Sequence, residues 1–228
     1  MNQMDMTVEE KKKNVIDVHN DMAEDYSNEY FDDTLDHEDI LNFLSCLSGK
    51  KVLDAGCGDG KNVGFMMRHG FEPIGVDFAS NFIEIAHRKV PNGNFRVGDI
   101  TDLSQFADDT FDGIFAGYSL QHIPYDLLNQ TLKGFSRILK SNGEIMLLVQ
   151  AGNTGEQMID EPLMPGKKLF INFLTEEKIN EMLLENGFTT TISKTCSEEI
   201  SNAPSTSKVI IQATNKKKIL AKENFKKV

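Results

Sequence analysis

One stretch, Lys51-Val-Leu-Asp-Ala-Gly-Cys-Gly-Asp-Gly-Lys61, constrains this chain more than any other. Val52, Leu53 and Ala55 form a short apolar run that reads as a strand buried on both faces. The run breaks into Gly56, Gly58 and Gly60 on alternate positions, and Lys61-Asn-Val-Gly-Phe-Met-Met-Arg68 follows with its apolar side chains at helical spacing. Strand, glycine loop and helix open a nucleotide-binding βα unit. Glycines let the backbone turn sharply and approach a ligand, and the helix N-terminus turns free N–H groups towards it. The next apolar run, Pro73-Ile-Gly-Val-Asp77, ends in a carboxylate 23 residues beyond Asp54 (77 − 54). At the tip of a second strand such a carboxylate can accept hydrogen bonds from both ribose hydroxyls. If it has no other partner, it lends the empty fold little support. The dinucleotide form G-x-G-x-x-G would require a glycine where Lys61 stands, so this loop is of another kind.

The flanking sequence predicts an α/β alternation. Val15, Val18 and Met22 fall at helical spacing in an acidic N-terminal segment that continues through Tyr26, Tyr30 and Phe31. A short helix over 38–47 leads into the first strand. Beyond Asp77, residues 79–89 read as a helix with Phe82, Ile83 and Ala86 on one face, stopped by Pro91-Asn-Gly93. Phe95–Asp99 is predicted as a third strand, and Asp99 or Thr101 can alternatively cap a following helix. A fourth strand spans 110–117, a helix Tyr125–Leu139, a turn Leu139–Gly143 and a fifth strand Glu144–Val149. Gly152, Gly155, Pro162, Pro165 and Gly166 suggest an irregular segment over 150–173 without long elements. Thr175 caps a helix that Gly187 stops, and Thr189–Thr195 with Ser207–Thr214 read as a closing antiparallel hairpin around a Ser/Asn/Pro-rich loop.

At 228 residues the chain accommodates one full α/β core with additions. A net charge of −11 argues against gripping a phosphate backbone, although Lys216, Lys217, Lys218, Lys222, Lys226 and Lys227 gather near the end, where such a run is ordinarily a solvated terminus. No apolar run approaches the ~20 residues of a membrane helix, and the first residues lack the pattern of a secretion signal. Cys46, Cys57 and Cys196 show no metal-binding spacing, so no metal site is expected and a reducing cytoplasm fits.

The D-x-G-x-G-x-G spacing from Asp54 resembles the first motif of the class I S-adenosylmethionine-dependent methyltransferases. The resemblance runs on through Asp77, Asp99, the Thr110-Phe-Asp-Gly-Ile stretch up to Ser119-Leu-Gln-His122, and Phe173–Phe188, covering roughly 52–214. It implies a doubly wound Rossmann-like sheet of about seven strands, mostly parallel, with one antiparallel strand near the C-terminus. It also implies S-adenosylmethionine across the C-terminal strand edge, and a monomer or homodimer acting on a small molecule. On this likeness Asp54, Gly56, Cys57, Gly58 and Gly60 carry the loop that holds the methionine part, with Gly117 at the end of the fourth strand also in the site. Asp77 takes the ribose, and Asp99 with Ile100 the adenine. Phe78 packs on the adenine or simply opens a helix, and Asp112 is structural. Asp21-Met-Ala-Glu-Asp-Tyr26 is similar to the segment that folds over cofactor and substrate, where His19 stands in place of a frequent aromatic. The resulting division is an N-terminal helical cap (1–48), the methyltransferase domain (49–214) with a substrate-side loop at 150–173, and a basic tail (215–228).

Methyl transfer is an in-line displacement at a carbon already activated by a sulfonium, so the protein chiefly aligns the reactants and excludes water. A general base helps only where the nucleophile carries a proton of high pKa. His122, with Tyr118 beside it, is the candidate; a structural role for His122 is the alternative. The chain has no N-P-P-[FY] after the fourth strand, no Pro-Cys nucleophile, and no acid in 116–122 to hold magnesium. The expected reaction is methylation of an oxygen or nitrogen of a small molecule. The alternatives are an RNA or protein methyltransferase, or a non-catalytic cofactor-binding partner subunit.

Overall fold

The computed structural model describes residues 6–151, 155–198 and 206–217. In chain order its elements are α1 (Val8–Tyr30), α2 (His37–Ser45), β1 (Lys51–Ala55), α3 (Lys61–Arg68), β2 (Glu72–Asp77), α4 (Ser80–Lys89), β3 (Asn94–Val97) and β4 (Phe111–Gly117). A 3₁₀ turn (Leu120–His122) follows, then α5 (Tyr125–Ile138), β5 (Leu139–Gln150), β6 (Gly155–Asp160), β7 (Lys168–Phe173), α6 (Glu176–Glu185), β8 (Phe188–Glu198) and β9 (Thr206–Asn215).

β1 lies near the middle of a seven-stranded sheet ordered β3-β2-β1-β4-β5-β9-β8. The pairings from β3 to β5 are parallel, and β9 runs antiparallel to both β5 and β8. The expected single antiparallel strand is thus β9. It pairs with β8 in the hairpin expected over Thr189–Thr195 and Ser207–Thr214, and with β5 on its other side. Chain order reverses between β1 and β4, and at such a switch point the loops leaving the strand ends diverge and open a crevice. One face of the sheet packs on α5 and α6 through Leu132, Phe135, Ile179 and Leu183, and the other on α2 and α3 through Ile40, Phe43, Phe65 and Met66. Asp112 is structural as expected. It accepts from the Lys51 N–H at 3.0 Å and from Lys140 Nζ at 2.7 Å, tying the starts of β1 and β5 to β4.

Several expectations need correcting. No helix follows Asp99 in 100–110, because its Oδ1 accepts from the Thr101 N–H (2.8 Å) and closes a tight turn instead of a cap. The 150–173 segment is not irregular throughout. β6 and β7 form a separate two-stranded hairpin in which Glu161 to Lys167, with both prolines and Gly166, make the turn. The closing hairpin also extends one residue past the expected boundary. Asn215, fully buried, ends β9 and donates to the Ser136 (2.9 Å) and Leu139 (3.1 Å) carbonyls, so it belongs to the sheet and not to the tail. The expected tail beyond Lys217, the linking loop at 199–205 and Gly152 lie outside the described residues.

Candidate active site

β1 and β2 deliver their carboxylates to the crevice side by side. Gly56 (φ 85°) turns the chain immediately after β1, where a Cβ would lie 2.3 Å from Ser119 Cβ, so only glycine fits there. The Gly56 and Cys57 amides donate to the Val76 carbonyl at 2.8 and 3.1 Å, and the Gly58 amide donates to Asp77 Oδ2 at 2.9 Å. With Gly60 N–H donating to the Cys57 carbonyl at 3.0 Å, the loop's own backbone uses four of its amides. Asp77 Oδ1 also accepts from the Ala79 N–H at 2.9 Å. That carboxylate is thus not unpaired. It fastens the glycine loop to the start of α4 and must contribute to the stability of the empty fold.

Negative charge collects beneath the loop. Asp54 is 1% exposed, and its Oδ2 accepts no hydrogen bond. Burial, then the neighbouring Asp77 and Asp59, push its carboxyl up to about 8. Asp77 is raised to about 6, chiefly by burial against the opposing pull of its two amide donors. Asp59 Oδ2 is likewise buried without a hydrogen bond, and burial raises that carboxyl too. Above Gly58 a Cβ would meet nothing within 4 Å, so there is room over the loop. An under-neutralised carboxyl cluster below an open backbone cradle suits a ligand carrying positive charge.

The crevice continues as a cavity of about 450 Å³, a volume that includes the space at its open mouth. Gly56, Asp77, Phe78, Asp99 and Ile100 line it, and Ser119, against Gly56, leads on to His122, Ile123 and Pro124. Helix α1 roofs it with Lys12, Val15 and Ile16. This helix begins with a capping box, Thr7 and Glu10, and buries the expected Val15, Val18 and Met22 face against Leu169 and Phe170 of β7. Asn14 locks it there, donating to the Lys168 carbonyl (2.9 Å) and accepting from the Phe170 N–H (2.8 Å). Lys12 Nζ lies 2.7 Å from Asp99 Oδ2, so the roof occupies that carboxylate.

His19 of α1 meets His122 with ring centroids 4.7 Å apart and planes at 75°. Burial lowers His19 to about 4. His122 falls to about 3 by burial first and then by the proximity of His19, so both rings are neutral at pH 7.

The structure thus brings Gly56, Asp77, Phe78, Asp99, Ile100 and His122 to one cavity, with Asp54, Gly58 and Gly60 in or beneath its loop. Tyr26 stands close by on α1, where burial and then the charge of Asp59 push its phenol up, and its ring packs edge-on to Phe82 at 5.4 Å. Three expected residues do not reach the cavity with side chains. Cys57 packs inward with Val63, Ile83 and Phe95, and the space beside Gly117 is filled by the Phe115 ring. Tyr118 is not a partner of His122. Its left-handed backbone (φ 56°) accompanies a ring packed in the α2–α3 cluster, and its hydroxyl donates to Asp36 Oδ1 at 3.3 Å. Lys12, Val15, Ile16 and Ser119 escaped sequence reasoning. Val15 was legible only as an apolar-face residue, and Ser119, whose Oγ donates to the Ala55 carbonyl at 2.6 Å, only as part of the stretch before His122.

Residues 53–147 match the family model of the methyltransferase domain. The chain is 34% identical over 115 residues to a demethylmenaquinone methyltransferase of Staphylococcus saprophyticus, covering 48% of each chain. It is 27% identical over 180 residues to the S-adenosyl-L-methionine-dependent Diels-Alderase iccD of Talaromyces variabilis, covering 72% of this chain and 61% of that protein. It therefore spans only about half to three-fifths of the length of these curated relatives. Among solved structures, 1,6-didemethyltoxoflavin-N1-methyltransferase of Burkholderia thailandensis, bound to 1,6-didemethyltoxoflavin and S-adenosylhomocysteine, superposes with a TM-score of 0.73. It covers 92% of this chain and 91% of that one at 17% identity, a likeness of fold. No helix among the described residues is long and apolar enough to cross a membrane. Motif, sheet order and matched family model agree: this chain carries a class I S-adenosylmethionine-dependent methyltransferase domain.

Proposed function

We propose that the protein transfers the methyl group of S-adenosylmethionine to an oxygen or nitrogen of a small molecule. The observation that carries this reading is the cavity roofed by α1, whose wall joins the carboxylate-backed glycine loop to His122. When bound, S-adenosylmethionine supplies a methyl carbon already activated by a sulfonium. The loop Gly56–Gly60, its backbone including Cys57, would hold the methionine portion above Asp54, whose unbonded oxygen fits positive charge. Asp77 keeps lone pairs for ribose hydroxyls beyond those facing the Gly58 and Ala79 amides. Phe78 and Ile100 offer apolar walls to the adenine, and Asp99 its acceptor once Lys12 lets go. Tyr26 would close over the loop, and Gly117 would let β4 end without a side chain there. On this division α1 and α2 are the cap, the sheet is the catalytic domain, and the β6–β7 hairpin is the acceptor side, where His122 Nδ1 lies 3.3 Å from the Phe170 carbonyl. A neutral His122 orients the acceptor and receives its proton, while α1 keeps water out.

Calorimetry should show micromolar binding of S-adenosylmethionine and S-adenosylhomocysteine without added metal or nicotinamide cofactor. A metabolite extract supplied with methyl-labelled cofactor should then yield label in small organic molecules. Label confined to RNA or protein would replace the acceptor class. Cofactor binding with no S-adenosylhomocysteine formed from any fraction would mark a non-methylating use of the fold.

A further inference from the structure

The acceptor side of the cavity has an unusual inventory. Ser119, His122, Ile123 and Pro124 face Val15 and Ile16, and none of these is charged while His122 is neutral. The cation of the lining, Lys12, is paired with Asp99. The two imidazoles meeting there are oriented by backbone carbonyls: His19 Nδ1 lies 2.8 Å from the Val15 oxygen, and His122 Nδ1 3.3 Å from the Phe170 oxygen. A carbonyl oxygen only accepts, so each Nδ1 must carry the proton, and each neutral ring is left with a bare lone pair on Nε2. Neither Nε2 makes a hydrogen bond among the described residues. The pair is also held sideways, since His19 stands edge-on to Phe78 (5.6 Å, 86°) as well as to His122.

We propose that His122, positioned by His19, makes this site selective for neutral, apolar-bodied acceptors that present an O–H or N–H, such as phenols and N–H heteroaromatics. The inference rests on the methyltransferase reading above and names the substrate class of that site. An acceptor with a donor gives the Nε2 lone pair of His122 the partner it lacks in a desolvated cavity. An ether or tertiary amine leaves that lone pair buried and unsatisfied. A carboxylate or phosphate fares worse, because it brings negative charge against the bare Nε2 of His122 in a cavity that Asp77 and Asp99 also line. Ile123, Pro124, Val15 and Ile16 suit a flat apolar body. His19 is a positioning residue: its ring edge restricts the tilt of His122 and fills the space into which that ring would swing.

The test uses the full chain saturated with S-adenosylhomocysteine and three probes of one shape: 1-naphthol, 1-methoxynaphthalene and 1-naphthoate. Naphthol should bind at least ~10-fold tighter than either of the others, the effect of one satisfied against one orphaned buried acceptor. In His122→Phe that advantage should shrink to under ~3-fold with S-adenosylhomocysteine affinity unchanged, and His19→Phe should reduce it in part. Nitrogen-15 histidine spectra of the unsubstituted chain add a readout independent of folding defects in the variants. Both rings should appear as Nδ1–H tautomers, and naphthol should shift the His122 Nε2 resonance. Absent or merely equal naphthol binding, an advantage that survives in a folded His122→Phe, or an Nε2–H tautomer at His122 would each overturn the proposal. A naphthol preference in a chain that fails to bind S-adenosylhomocysteine would instead remove the methyltransferase reading and leave the selectivity standing.

Discussion

At the scale of single residues, Asp77 shows how a position can be right and its energetics incomplete. Its carboxylate does end β2 at the crevice, but both oxygens already accept backbone N–H bonds, from Gly58 and Ala79. Bonds to an ionised acceptor contribute ~1.5–3 kcal/mol each when fully made, and partial replacement by water lowers their sum. Asp77→Ala should therefore lower the stability of the free protein by ~1–3 kcal/mol and weaken S-adenosylmethionine binding by at least ~30-fold. Thermal melts and cofactor titrations on one sample check both. A normal melting point with weak binding would mean that the loop holds its shape without this carboxylate. Asp54 differs in kind, since one of its buried oxygens accepts no hydrogen bond and costs the empty fold stability.

Among the elements, α1 has the largest say over access. It is tied to the rest by its buried apolar face, by Asn14 on β7 and by ion pairs, of which Lys12–Asp99 alone lies across the cavity. Both side chains of that pair are partly exposed, so the bridge contributes at most ~1 kcal/mol. Lys12→Met should free Asp99, speed association of S-adenosylhomocysteine and tighten its binding by up to ~5-fold, read by stopped-flow mixing and calorimetry. Weaker binding would show that Lys12 works in the loaded state instead. The amphipathic pattern of α1 was legible because Val15, Val18 and Met22 repeat at one helical face. The β6–β7 hairpin was not, because its prolines and glycines stand in the turn and its strands carry no clean alternation: Leu169 to Asn172 are buried on both faces.

For the whole molecule, the buried ionisable groups set a pH dependence whose sign can be worked out. Asp54 and Asp77 sit at about 8 and about 6 in the fold, above an unfolded aspartate at ~3.9, so in between the folded state holds more protons and stability falls as pH rises. His19 and His122 sit at about 4 and about 3, below ~6.5 unfolded, so there the unfolded state holds more protons and stability rises with pH. The two effects oppose between about pH 4 and 6.5 and leave a plateau. Melting temperature should decline from there towards pH 8 and towards pH 3. Asp54→Asn should flatten the alkaline limb, and His122→Phe the acid limb; a melting curve indifferent to both would contradict these shifts. Truncation offers a second check. Stopping after Thr214 in place of Asn215 removes that buried residue and its carbonyl bonds and should cost ~1–3 kcal/mol by chemical denaturation. The strand–glycine–helix unit, the order of strands up to β5, Asp77 at its strand tip and the covering face of α1 could all be read along the chain. They rest on local rules: the glycine requirement of a tight turn, the 3.6-residue period of a helix and the apolar run of a buried strand. Lys12 against Asp99, His19 against His122, the idle oxygen of Asp54 and the turning away of Tyr118 had no such signature. Each depends on where segments distant in sequence are packed, and on how much water that packing removes, which only the assembled fold decides.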